Sequence, residues 1–285
     1  MSRRALRTVH VDALHGWGGG QVQLLMLARG LAERGHAATL VCQPRSALEG
    51  RGAEAGLPVV TVRMRHDLDV LALLALARLF RRLSPDIVHL HSARAHTLGS
   101  LAARRAGVAV VASRRTAFPP GRSWVNRRRY TRWVDRVIAI SIGAQQAVVQ
   151  AGVAPPEQVT VIHSAVDCAR FRPADRARAR VELGLPARAA IVGCVGRIEP
   201  EKGQHVLVEA AARVVAARGD ALFALCGEGA GLAALKARAA REGLGNHLRF
   251  LGQRHNFQLE GGRLVLGEVL ASEHPAIHHP KCIAS

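Results

Sequence analysis

Between Leu6 and Ile162 the chain repeats one unit: a short, largely apolar run followed by a stretch of helix length. The runs are Leu6–Val11, Ala38–Cys42, Val59–Val62, Asp86–Leu90, Val108–Ala112, Val137–Ile140 and Val159–Ile162. Apolar, β-branched runs separated by helices imply strands covered on both faces, which is the signature of a parallel sheet between two helical layers. Crossovers in such a sheet are right-handed, so the pattern predicts a doubly wound α/β domain. The intervening segments fit. Gly20–Arg34 carries Leu24, Leu27, Ala28 and Leu31 on one stripe and is closed by Gly35. Asp67–Leu83 is helical up to Ser84-Pro85.

The same alternation resumes near Ala189, with strand 190–195, helix 204–218, strand 221–226, helix 230–242 and strand 248–251. That is half of a usual nucleotide-binding sheet. The expected organisation is therefore a first domain over 1–166 and a connector over 167–188. A partial second domain follows over 189–254, and a poorly ordered tail over 255–285. His255, His274, His278 and His279 crowd the tail without the paired spacing of a metal site, so no metal is expected.

The 285 residues suffice for two domains. Half of them are apolar but few are aromatic, which favours cores of Ala, Leu and Val. Lys and Arg number 40 against 21 acidic residues, a net charge of +19 that attracts polyanions. The excess is concentrated: ten arginines and one acid, Asp135, lie between Arg104 and Arg136. Arg127-Arg128-Arg129 beside Trp124, Tyr130 and Trp133 suits an anionic membrane surface. RNA could be held by the same ingredients, but no RNA-binding module is present and no nucleic-acid partner is expected. The five cysteines show no zinc or thioredoxin spacing and read as reduced core residues. The start of the chain lacks a secretory apolar run, and Leu68–Phe80 is too short to span a bilayer. A cytoplasmic protein, peripheral on the inner face of the membrane, is expected.

Five segments carry candidate chemistry, all at carboxyl ends of strands, where ligands bind in this architecture. Gly18-Gly19-Gly20 stands between the first strand and the first helix, where amides can meet an anion or a sugar hydroxyl. His89 and His91 alternate about Leu90, so both rings share a side; His91 is nearer the crevice. Arg114 and Arg115 follow the fifth strand and suit a phosphate or carboxylate on an acceptor. Arg197 and Lys202 flank a turn before the 204–218 helix and suit a diphosphate. Gly227-Glu228-Gly229 repeats the strand–glycine–helix arrangement, with Glu228 placed for a sugar hydroxyl. The spacing is not the dinucleotide fingerprint, and no bound cofactor is expected.

Taken together, these stretches resemble the family-4 glycosyltransferases of GT-B fold. The resemblance is carried by GWGGGQVQLLMLARGLAERGH (16–36), DIVHLHSARAHTLG (86–99), VIAISIGAQQAVVQAGV (137–153) and VTVIHSAVDCARF (159–171). VGRIEPEKG (195–203) and CGEGAGLAALKARAAREGLGNHLRFLGQ (226–253) complete it. It implies two Rossmann-like domains around a cleft, with the acceptor on the first and a UDP- or GDP-sugar donor on the second. It also implies transfer of a hexose with retention of configuration and no tightly bound metal. By resemblance, Arg197 and Lys202 hold the donor diphosphate, Gly18–Gly20 line the site of the transferred sugar, and His91 lies near the acceptor. The acceptor implied is a lipid-linked or cell-envelope glycan.

Three departures bear on these expectations. Ser164-Ala165 replaces the usual Asn-Gly of the connector strand, and Arg115 stands where relatives often have histidine. The downstream pair of glutamates seven residues apart is missing, since Glu260 and Glu268 lack the spacing. The resemblance ends near Arg254, so an incomplete donor domain with weak or absent transfer is expected. Two other readings use the same residues: a basic membrane- or RNA-surface binding protein without catalysis, and a GT-B-type sugar-nucleotide epimerase.

Overall fold

The computed structural model describes residues 4–116, 128, 130–168 and 175–252. They divide into two compact units, with the break between Ala165 and Val166.

The first unit is built on seven parallel strands: β1 (Arg7–Val11), β2 (Ala37–Cys42), β3 (Val59–Thr61), β4 (Ile87–Leu90), β5 (Ala109–Arg114), β6 (Arg136–Ala139) and β7 (Val159–Val161). Their order across the sheet is β3-β2-β1-β4-β5-β6-β7. The chain winds outward from β1 through β2 to β3, then returns to place β4 on the other flank of β1. The carboxyl ends of β1 and β4 therefore form the topological switch point, where two crossovers depart in opposite directions and leave a crevice.

Helices α1 (Gly19–Glu33), α2 (Ala47–Glu54), α3 (Val70–Leu83), α4 (Ala93–Ala106) and α5 (Ile142–Gln150) supply the covering layers. Leu76, Ala77 and Phe80 of α3, with Leu98 and Ala102 of α4, close over Val9, Val11, Val88, Leu90 and Val110. Leu24 and Ala28 of α1 and Leu48 of α2 pack on Leu40 and Cys42. Each fully buried Leu, Val or Phe contributes roughly 1.5–3 kcal/mol. Gly99 lets α4 lie against β4, because a Cβ there would overlap the Leu90 side chain.

Caps fix the helix starts. Asp69 accepts from Ala72 N at 3.1 Å, which starts α3 at Val70 rather than Asp67. Helix α2 is absent from the sequence reading; Ser46 caps it by accepting from Glu49 N, and Glu49 in turn accepts from Arg45 N. The unit's two ends are joined by a clasp: Gln23 Nε2 donates to Ala165 O at 2.7 Å, while Gln23 Oε1 accepts from Ala165 N at 2.8 Å.

The second unit has three parallel strands in the order β10-β9-β8: β8 (Ala190–Val195), β9 (Ala221–Cys226) and β10 (Leu248–Phe250). Helices α6 (Arg176–Glu182), α7 (Gln204–Ala217) and α8 (Leu232–Arg241) accompany them. β9 is buried at every position, as befits a central strand, whereas β8 is half-buried until Val195, which is exposed. The buried Arg180 of α6 donates to the carbonyls of Pro186, Ala187 and Ala189, so one satisfied guanidinium ties the helix to the start of β8. The segment around Trp124 and Arg127 and the tail 255–285 lie outside the described residues.

Candidate functional site

Strand register assembles the crevice of the first unit. His10 on β1 is the Cα partner of His89 on β4, and His91 follows two positions on. Alternation puts all three rings on one side of the sheet. The His89 and His91 ring centroids are 4.1 Å apart, and each lies 5.5 Å from that of His10. All three histidines are buried. Burial pushes the His10 pKa down from 6.5 to about 4, and holds His89 and His91 well below the usual histidine range; for these two the neighbouring histidines and Arg115 push the same way.

Neutral rings must choose a tautomer, and the hydrogen bonds choose it. Arg115 can only donate, and its Nη2 lies 3.1 Å from His91 Nδ1, so that nitrogen accepts. His91 therefore carries its proton on Nε2 and donates to His10 Nδ1 at 3.2 Å. His10 in turn donates from Nε2 to Thr8 Oγ1 at 3.1 Å, and Thr8 donates to Ala37 O at 3.2 Å. Four side chains from three elements thus form a chain of donors pointing one way, from the crevice into the sheet. His89 stands beside it, with Nε2 2.8 Å from Ser113 Oγ.

Asp12 ends the site at the tip of β1. It is buried; Oδ2 accepts from Gln21 Nε2 at 2.6 Å, while Oδ1 has no hydrogen-bond partner among the described residues. A buried carboxylate oxygen left unpaired is costly, and such groups cluster where ligands bind. Burial lowers the pKa of Arg115, and the Asp12 charge opposes that shift. Asp12, Gln21 and His10 are absent from the sequence reading. A lone Asp after an apolar strand and a lone His within one carry no motif, and it is the β1–β4 pairing that gives them meaning.

The glycine run sits slightly differently from expectation. Gly18 is the N-cap of α1, and Gly19 and Gly20 already belong to its first turn. The backbone amides of that turn have no preceding helical carbonyl to bond, and Gly18 offers no side-chain cap. A Cβ on Gly19 would meet nothing within 4 Å, so packing does not require glycine there. A Cβ on Gly20 would sit 3.6 Å from Arg115 Cδ, which places the α1 start beside the arginine.

Arg114 does not join Arg115 as an acceptor pair. The Ser113–His89 bond places Ser113 on the histidine side, and alternation along β5 puts Arg114 on the opposite face. His89 is enclosed by its bond to Ser113, and it lines, with Arg115, Ile138, Ile140 and Ile162, a largely apolar cavity of about 390 Å³.

In the second unit, Arg197 follows the end of β8, and Lys202 closes a short turn at Pro200–Lys202. Both are exposed. Gly203, at φ 72°, turns the chain into α7. Gln204, buried and unnoticed in the sequence, donates to Arg197 O at 2.9 Å and so fixes the loop that carries both cations. Gly227 and Gly229 have a packing cause. A Cβ on Gly227 would overlap the Gly196 carbonyl, and one on Gly229 the Ile198 carbonyl. Glu228 accepts from Ile198 N through its main chain at 2.9 Å, and its side chain is exposed.

The ring nitrogens of His10, His89 and His91 lie within 4.8 Å of one another, near enough to be bridged by a small ion. The Arg115 guanidinium bonded to His91 opposes a cation there, and the bonds just described already occupy the lone pairs of His10 and His91.

Comparison with known proteins agrees with this architecture. The model of Glycosyltransferase Family 4 matches residues 17–170, and that of Glycosyl transferases group 1 matches 175–260, a few residues past Arg254. The D-inositol 3-phosphate glycosyltransferase of Thermobispora bispora is 33% identical over 146 residues, covering 47% of this chain and 34% of that protein. The enzyme of that name from Streptomyces scabiei is 34% identical over 188 residues, covering 58% and 42%. The chain thus spans less than half the length of these relatives. The crystal structure of Anabaena Alr3699/HepE in complex with UDP and glucose superposes with a TM-score of 0.76 at 22% identity, covering 88% of this chain and 70% of that one. A glycosyltransferase from Rickettsia africae gives 0.75 at 17%, covering 89% and 70%. The fold is the GT-B type that the sequence led us to expect. With the family model running through β2 to β7 and across the histidine crevice, the chain belongs to Glycosyltransferase Family 4.

Proposed function

We propose that this chain serves a glycosyltransferase that moves a hexose from a UDP- or GDP-sugar to a hydroxyl, with retention of configuration. The observation that carries this reading is the convergence of Asp12, His91 and Arg115 at the switch point of a chain of this family. The crevice of the first unit takes the acceptor and the transferred sugar. His91, neutral and locked with its proton toward His10, presents no free lone pair. Its role is to position Arg115 and to wall the sugar site rather than to shuttle a proton. Asp12 Oδ1 offers an acceptor to a sugar hydroxyl. The amides at the start of α1 add fixed donors.

On the second unit, Arg197 and Lys202 take the donor diphosphate. As the bond from the anomeric carbon to the diphosphate oxygen breaks, its electron pair leaves on the diphosphate, and the two cations stabilise that charge. The acceptor oxygen then bonds to the anomeric carbon, and its proton passes to the departing diphosphate oxygen. The finer reading has a lipid-linked or cell-envelope glycan as acceptor, with the chain held peripherally at an inner membrane surface. It is supported by the net charge of +19. A purely basic binding surface, by contrast, gives no account of a buried carboxylate beside neutral histidines.

Calorimetry with UDP and GDP tests the donor site. We expect one of them to bind and Arg197→Ala to weaken it by about tenfold, the worth of one charge-assisted contact. Silence toward both nucleotides would sink the reading.

A further inference from the structure

Thr8 lies two residues before His10 on β1, on the same side of the sheet, and is buried. Its hydroxyl joins two strands: it donates to Ala37 O on β2 at 3.2 Å, and Oγ1 stands 3.1 Å from His10 Nε2. A carbonyl oxygen can only accept, so the single hydroxyl proton is committed to Ala37. Lone pairs are all that Thr8 has left for His10, and His10 must meet them with an N–H.

The inner end of the hydrogen-bond chain therefore sets its direction without reference to Arg115. With the His10 proton on Nε2, Nδ1 accepts, and His91 Nε2 donates to it at 3.2 Å. His91 Nδ1 is then the lone pair that Arg115 Nη2 meets at 3.1 Å. The two ends, Thr8 and Arg115, impose the same direction independently. A reversed chain would turn an N–H of His91 toward a guanidinium, which has no acceptor. His89 offers no substitute, since its Nε2 is engaged with Ser113 Oγ. Nor can a ring charge up cheaply, because all three are buried and held neutral by that burial.

Arg115 gives Nη2 to His91, whereas its buried Nε has no hydrogen-bond partner among the described residues. That N–H is the group left for a ligand oxygen, and a buried donor without one is costly. Its placement depends on the His91 lone pair being present before any ligand arrives.

We propose that Thr8 is a positioning residue of the crevice. From within the sheet it fixes the protons of His10 and His91, and so presets the lone pair that aims Arg115 at a ligand oxygen. That this ligand is a sugar rests on the glycosyltransferase reading; the presetting does not.

The test reads the rings directly, by long-range proton–nitrogen NMR correlation on the whole chain labelled at its 14 histidines, with His91 identified by the signals lost in His91→Gln. We expect His10 and His91 to carry their protons on Nε2. Arg115→Met alters a half-buried side chain and removes the outer determinant; His91 should stay protonated on Nε2, because Thr8 still sets the inner end. Adding Thr8→Val should shift part of the His91 Nδ1 signal into the protonated range, and adding Thr8→Ser instead should leave it unprotonated. A role confined to stability would not move this signal. A mixed His91 signal in Arg115→Met alone overturns the proposal, and so does an unchanged one when Thr8→Val is added. The first of these needs no substitution in the sheet, so it decides even if the double variant does not fold. UDP and GDP are titrated in parallel. Silence toward both removes the glycosyltransferase reading, while this inference stands or falls on the ring signals.

Discussion

His10 carries a consequence for pH. Its pKa is about 4 in the folded chain against 6.5 when exposed, because burial disfavours the imidazolium. Between those values the unfolded chain binds the extra proton, so stability rises with pH through that window and is lost as pH falls from 6.5 toward 4. The gap corresponds to roughly 3 kcal/mol. His89 and His91 are displaced in the same direction, so the slope adds across the cluster. We expect melting temperatures to fall steeply from pH 7 to 4.5, and His10→Gln to flatten that dependence. An equal slope in the variant would contradict the assignment. His89 and His91 were legible in the sequence because they alternate about Leu90 at a strand end. His10 was not, since His91 reaches it from 81 residues away through the β1–β4 register, and Asp12 was not, since a lone acid after a strand carries no motif.

At the scale of elements, glycines that look alike along the chain do different work. Gly227 and Gly229 let the loop after β8 pass against the start of the segment after β9, where a methyl group would strike main-chain carbonyls that cannot move aside. Gly229→Ala is expected to destabilise the second unit by about 3 kcal/mol, as overpacking against rigid backbone does. Gly19→Ala, facing open space at the start of α1, is expected to leave stability unchanged. Denaturant midpoints of the two variants separate these outcomes, and equal midpoints would refute the contrast. In the sequence both runs read as ligand loops, because a strand–glycine–helix pattern does not reveal whether the close approach is made by a ligand or by the chain itself. Helix α2 was hidden for a related reason. Gly50 and Gly52 lower its helix propensity, yet Gly52 has a packing role, since a Cβ there would come within 2.6 Å of Leu40 Cδ1.

For the molecule as a whole, the doubly wound parallel sheet was readable in the sequence, and its strand boundaries to within a residue or two, because apolar runs of this kind admit few topologies. The gathering of Arg45, Arg63, Arg65 and Arg94 around one cavity of about 460 Å³ was not, since these arginines are scattered among turns and only crossovers bring them together. The first unit has its own buried clusters and, among the described residues, a seven-stranded sheet. We therefore expect a fragment ending at residue 166 to fold alone, with a cooperative thermal transition seen by circular dichroism. A fragment without such a transition would show that the division at Ala165 is not a folding boundary. Gln23 sets a further condition on that fragment. Its amide waits for a main-chain partner 142 residues downstream, so these two bonds to α1 cannot form during synthesis until Ala165 has emerged from the ribosome. A nascent chain halted short of that point would hold its first helix by the apolar face on β2 alone, with Leu24 and Ala28 against Leu40 and Cys42.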